Sequence, residues 1–395
     1  MQRRAACLAA LMLAACSAEP PPLRVMLADE MSRDDTSTEQ DWLVEADLAG
    51  DARAFFFAQA GLYLAGAEPT PNSKLADVLR AMGRNDLVDP EADADPPNGC
   101  PHQWVEPIEM IARAAKTSRI VMIESERHAP AQTAFLEDLV TRLAADGFST
   151  YADDGLTLGP GGAAHPDVLL VSEGLVTRDP ALGRLIREVK RNRLTLIDAG
   201  VWWASANELA SLSPAAQLSR RQSALAVQIN RRTFARDPSA RVIIHTERAS
   251  GPAAAESFKA QLVELTGHVP LMVALRDCLP SYSEPAYMPS HGEGARLAAD
   301  LAFAIPRPEV KEGRVTSGRR QGESVVAVPP AFRAKDQPVL VEARREGDPD
   351  LAVPDDRLLL FPGDRLPLIL QPGEYRIEAW TKNGPLSEPV PVSVN

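Results

Sequence analysis

Arg119-Ile120-Val121-Met122-Ile123-Glu124-Ser125-Glu126-Arg127-His128-Ala129-Pro130 is the stretch that decides the architecture. Its apolar run is short and continuous, as in a strand buried on both faces. Pro130 then opens a segment with Phe135, Leu136, Leu139, Val140 and Leu143 at helical spacing, and Gly147 ends it. The pair reads as a βα unit. Strand-like runs at 168–171, 194–197 and 242–244 follow, separated by helical patterns over 180–191, 215–235 and 253–266. Apolar strands alternating with helices predict a mostly parallel sheet covered on both faces, with right-handed crossovers. Ligand sites in such sheets form at the carboxyl ends of the strands.

Outward from this α/β region, residues 100–305, the texture changes on both sides. Beyond Pro306, short strand candidates alternate with turns such as Gln371-Pro372-Gly373 and Lys382-Asn383-Gly384-Pro385, which predicts a small all-β sandwich over 306–395. On the other side, Trp42, Ala46, Phe55-Phe56-Phe57, Leu62, Leu64, Leu75, Val78 and Leu79 recur at helical spacing. With the breaker-rich stretch from Asp86 to Gly99, they make 41–99 an acidic helical segment and loop.

The chain of 395 residues carries a net charge of −12, and 19 acidic against 6 basic residues lie between Glu19 and Met110. No basic stripe is present, so nucleic acid is not an expected partner. Met1-Gln2-Arg3-Arg4, the apolar run from Ala5 to Leu13 and then Ala14-Ala15-Cys16 read as a signal peptide over 1–15, too short to span a bilayer. Leu13-Ala14-Ala15-Cys16 resembles a bacterial lipobox, which makes Cys16 the lipidated N-terminus, 16–40 a tether and the membrane a partner through the acyl chains. Ser17 after that Cys favours the outer membrane, facing the periplasm. Once Cys7 leaves with the signal and Cys16 carries lipid, Cys100 and Cys278 remain. In an oxidising compartment they suggest one disulfide, with two free thiols as the alternative.

Gly-x-Ser-x-Gly, a phosphate loop and His-Glu-x-x-His are all absent. What remains is a set of polar residues following strands: His128 just past Ile123, Asp154 past the segment from Phe148 to Ala152, Asp198 directly after Ile197 and His245 directly after Ile244. In a parallel sheet these ends share one edge, where side chains can converge. The alternative is that the acids cap loops or helices and the histidines are ordinary loop residues.

The stretch from Ile120 to Pro130, with Phe135 and Gly147-Phe148, resembles the first motif of the erythromycin esterase/ChaN/TraB-like superfamily. The resemblance continues through Gly174-Leu175-Val176-Thr177-Arg178-Asp179-Pro180, Arg221-Gln222 and the run from Asp237 to His245. It implies hydrolysis of an ester or peptide, with His as base and carboxylates or a divalent metal organising water. Because the family includes a haem-binding lipoprotein, it also raises haem as a ligand. The departures fall on catalytic positions: Ser125 replaces the family Glu, Arg127 the first of two His, and Thr246-Glu247-Arg248-Ala249-Ser250 the tail of the last motif. Glu124, Glu126 and Glu247 lie near enough to compensate. The resulting expectation is an envelope lipoprotein with a degraded site and a binding or scaffold role, holding little or no divalent metal. The alternative is a hydrolase, esterase or metal-assisted peptidase, using His128, His245, Asp154 and Asp198.

Overall fold

A computed structural model of the chain describes residues 53–69, 74–88, 103–104, 106–126, 129–156, 158, 165–171, 173, 179–198, 214–247, 252–278, 286–288, 299–306, 310–315 and 322–395. The signal peptide, tether, Cys16 and Cys100, together with His128, lie outside these residues. So does the Cys278 side chain, although its backbone ends a strand.

Three helices come first: α1 (Arg53–Leu64), α2 (Lys74–Ala81) and α3 (Asn85–Val88). The α/β region then runs β1 (Gln103–Trp104), α4 (Pro107–Ala115), β2 (Ile120–Ser125), α5 (Pro130–Ala145), β3 (Thr150–Asp153), α6 (Pro180–Arg191) and β4 (Thr195–Asp198). It continues with α7 (Pro214–Ile229), a π-turn (Asn230–Phe234), β5 (Val242–Glu247), α8 (Pro252–Thr266), β6 (Leu271–Cys278), β7 (Ala286–Met288) and β8 (Leu301–Pro306). Helices α4 to α8 each open on proline, which has the helical φ already set and lacks only an N–H that would go unpaired there. Asp179 caps α6 by accepting from Ala181 N at 2.8 Å.

The strand order is β1-β7-β8-β6-β2-β5-β3-β4, and the six strands from β8 to β4 are mutually parallel. Leu136, Leu139, Val140 and Leu143 of α5 and Leu185, Ile186 and Val189 of α6 cover one face, over Val121, Ile123, Tyr151 and Ile243. Leu225, Ala226 and Ile229 of α7 and Phe258 and Leu262 of α8 cover the other, over Ile120, Met122, Ala152 and Ile244. Strand β5 therefore sends its crossover helix to one face, while β2 and β3 on either side of it send theirs to the other. Such a reversal, at the carboxyl ends of β2, β5 and β3, is where open α/β sheets place their ligand sites.

The C-terminal part is antiparallel, as the turn pattern predicts. Strands β9 (Val310–Lys311) and β10 (Arg314–Val315) form a hairpin, and β11 (Ser324–Val326) pairs with β14 (Leu368–Leu370). A larger sheet contains β12 (Val339–Arg345), β13 (Asp356–Leu360), β15 (Gly373–Thr381), β16 (Gly384–Pro385) and β17 (Val390–Val394). Val341, Leu358, Leu368, Ile377 and Phe332 fill the core between the two sheets. The outer face of the larger sheet is covered too, since Leu340, Leu359 and Phe361 share a core with the N-terminal helices and with α5 and α6.

One expected strand is absent from the parallel sheet. Residues 168–171 turn their hydrogen bonds to the C-terminal part instead: Val171 N donates to Leu351 O at 2.9 Å, and Val353 N donates to Leu169 O at 2.8 Å. Their place in the βα alternation is taken by β3, immediately after α5. The helix expected over 215–235 is also interrupted, ending as α-helix at Ile229 before the π-turn.

Candidate active site

Every residue of β2 is buried. Side chains alternate along a strand, so Val121, Ile123 and Ser125 share one face while Met122 and Glu124 share the other. The parallel register sets Ile123 beside His245 of β5, His245 beside Asp153 of β3, and Asp153 beside Asp198 of β4. Ser125, His245, Asp153 and Asp198 consequently lie on the same face, at the carboxyl edge where the crossovers reverse.

Three of them form a continuous hydrogen-bonded chain. Ser125 Oγ is 2.7 Å from His245 Nε2, and His245 Nδ1 is 2.8 Å from Asp153 Oδ2. An ionised carboxylate only accepts, so Nδ1 carries the proton and donates to Asp153. Nε2 is then the lone-pair nitrogen, and Ser125 donates its hydroxyl proton to it. Asp153 is held in turn by Gly155 N on Oδ1 at 2.8 Å and by Tyr151 Oη on Oδ2 at 3.1 Å. The imidazole is 13% exposed and the Asp153 carboxylate 3%, and Ser125 is buried.

Of the residues expected at the site, His245 and Asp198 stand on this face. The Asp198 carboxylate accepts from Leu158 N at 3.0 Å and pairs with Arg232 of the π-turn at 3.4 Å. Asp154 is buried one residue beyond β3, in the turn. The carboxylate bonded to the ring is that of its neighbour Asp153, and a strand end placed one residue early accounts for the difference. Among the acids near enough in sequence to compensate for lost motif residues, Glu124 is on the opposite face and pairs with Arg276 of β6 at 2.7 Å. Ser125, read from the sequence as a lost carboxylate, is a partner of His245. Its signal was available in the period-two alternation from Ile123.

The described residues offer a divalent metal no ready site, and neither a metal nor haem could take His245 as it stands. Among them no group of three or more His, Cys, Asp or Glu side chains is arranged to hold a metal ion. Both nitrogens of His245 are engaged, so ligation would break its bond to Ser125 or to Asp153.

No protein-family model and no curated protein matches the chain. Among solved structures, the type III effector HopBA1 aligns at 12% identity and a TM-score of 0.35, covering 55% of this chain and 99% of its own. The signal recognition particle 54 kDa protein from Aeropyrum pernix K1, in complex with GDP, aligns at 14% identity and a TM-score of 0.20, covering 65% of this chain and 50% of its own. Similarity at this level carries no statement about family or chemistry, so the functional reading rests on the site.

Proposed function

We propose that the protein is a serine hydrolase acting on a carboxylic ester or amide, with Ser125 as nucleophile, His245 as general base and Asp153 as the group that orients and charge-balances the imidazole. The observation that carries this reading is the Ser125–His245–Asp153 chain, with both links inside hydrogen-bond reach at the carboxyl ends of three parallel strands. Such arrangements recur on unrelated folds and are recognised by geometry and roles rather than by chain position. Ser125 Oγ attacks the substrate carbonyl carbon while Nε2 takes the hydroxyl proton. The tetrahedral adduct collapses as the imidazolium returns that proton to the leaving alcohol or amine, and water then releases the acyl group by the same relay. The motif resemblance implies hydrolysis as well. It also prompted the expectation of a worn binding or scaffold site, which counts Ser125 as a loss. In the geometry described above, the same serine is the proton donor to His245.

The test uses the intact purified chain, a fluorophosphonate probe and short-chain p-nitrophenyl esters. The wild type should label at Ser125 and turn over ester, and Ser125→Ala should do neither. Labelling of Ser125→Ala at the wild-type rate, or a wild type inert in both assays, overturns the reading.

The site is proposed to work in the cell envelope, on a lipid anchor at Cys16; the support is Leu13-Ala14-Ala15-Cys16 after a cationic start and an apolar run. Cys16→Ser should move the protein from the membrane to the soluble fraction. Retention on the membrane places the anchor elsewhere.

A further inference from the structure

Asp153 has a neighbour that the proposed hydrolysis does not use. Tyr151 Oη donates to Asp153 Oδ2 at 3.1 Å, and this is the same oxygen that His245 Nδ1 approaches at 2.8 Å. Tyr151 precedes Asp153 by two residues on β3, so both side chains emerge on one face. The tyrosine is fully buried, with its ring centroid 6.4 Å from that of the imidazole. Gly155 N holds the other carboxylate oxygen. Among the described residues, phenol and imidazole thus share a single acceptor atom.

We infer that Tyr151 is a positioning residue that tunes His245 through Asp153, keeping the imidazole neutral, and so able to accept a proton, to lower pH than Asp153 without the phenol allows. The catalytic consequence rests on the hydrolase reading, whereas the coupling among the three side chains does not. A carboxylate that accepts one more hydrogen bond has its charge better satisfied and stabilises an adjacent imidazolium less. Burial first, and then the negative charge of Asp153, raise Tyr151 well above the ordinary tyrosine range, so it remains a donor. Of the other groups around the ring, Ser125 meets it from β2, and Glu124 on the same strand is tied to Arg276. On β4, Asp198 is tied to Arg232. Asp154 follows β3, Glu126 follows β2 and Glu247 ends β5, while Arg127, His128 and Arg248 lie outside the described residues.

The test is an NMR titration of the full-length chain carrying 13C-labelled histidine, in which the His245 resonance is the one of 6 lost in His245→Gln. Tyr151→Phe keeps the ring and removes only the hydroxyl. The His245 midpoint should rise by about half to one pH unit. The acid limb of kcat should move up with it, while the plateau changes by no more than a few-fold. Replacing the 5 tyrosines biosynthetically with 3-fluorotyrosine makes the phenol a stronger donor without altering the packing, and should move the midpoint the other way. That arm decides the matter if Tyr151→Phe does not fold. A midpoint unmoved in a folded variant overturns the inference. Opposite shifts support it, and opposite shifts in a protein with no turnover establish the coupling while rejecting the hydrolase reading.

Discussion

Asp153 and Glu342 are both carboxylates removed from water, and their neighbours give them opposite characters. Glu342 lies in the interior of β12, where the antiparallel register sets it between Arg357 and Glu378. Its two oxygens accept from Arg53 at 2.9 Å, Arg344 at 2.8 Å and Arg357 at 2.8 Å, and Arg344 also reaches Glu378 at 2.9 Å. Every cation there is an arginine, which stays protonated throughout the working range. Nothing in that cluster can take up or release a proton near neutral pH. Asp153 lies at a strand end, and its partners are an imidazole, a phenol and a backbone N–H. Its charge is balanced only when the imidazole becomes protonated, which is the event that general-base catalysis requires.

Location explains the division. The outer face of the antiparallel sheet is closed by α1, whose Arg53 guanidinium also lies 3.5 Å from the Trp380 ring centroid. Phe56 of the same helix lies under Arg357, 4.4 Å from ring centroid to guanidinium. A charge buried on both sides must be fully paired, because an uncompensated one costs several kcal/mol. The carboxyl edge of the parallel sheet lies between the helices that cover the two faces, and strand ends of this kind are where open α/β sheets place side chains that ligands reach.

The comparison is broken most directly at Asp153. Asp153→Asn keeps the shape but can offer Nδ1 an amide hydrogen, favouring the wrong imidazole tautomer. The turnover number should fall about 10⁴-fold. The melting temperature should shift far less than for a substitution within the arginine cluster. Turnover within tenfold of wild type, measured on a folded variant, would mean that Asp153 is as structural as Glu342.

The fold was more legible in the sequence than the site, for physical reasons. Proline at helix starts and apolar strands read through directly, because both depend on neighbouring residues. Residues 168–171 are equally apolar, but which partner takes their hydrogen bonds is settled by the distant Leu351 and Val353. Asp153 was missed in favour of Asp154 because the face of a strand reverses with each residue, and β3 runs one residue further than its apolar core. His245 was legible as the polar residue directly after the apolar run 242–244, which the strand in fact continues past. Ser125 carried the right periodicity but was read as the absence of a carboxylate rather than the presence of a hydroxyl. In Val341-Glu342-Ala343-Arg344-Arg345 the alternation reads as a strand with one wet face, and nothing local reveals that α1 covers it.

Glu342 offers the smaller effect and the sharper contrast. Burial alone pushes its carboxyl up, but Arg344, Arg357 and Arg53 outweigh this and hold it well below the usual carboxylate range. Because the folded value is the depressed one, the stability it contributes is complete above the unfolded glutamate value of about 4.3 and is lost as the pH falls toward the folded value. Glu342→Gln preserves the packing but leaves the arginines without their shared counter-charge. It should cost about 3 to 5 kcal/mol at neutral pH. Thermal melts from pH 7 downward should show the gap between wild type and variant holding to about pH 4.5 and narrowing below it, as the unfolded wild-type chain takes up at Glu342 the proton that the folded state refuses. A gap that stays constant through the acid range would assign the loss to packing rather than charge. Ester turnover per folded molecule should match wild type at every pH, since an arginine-locked carboxylate has no proton to exchange with the His245 relay.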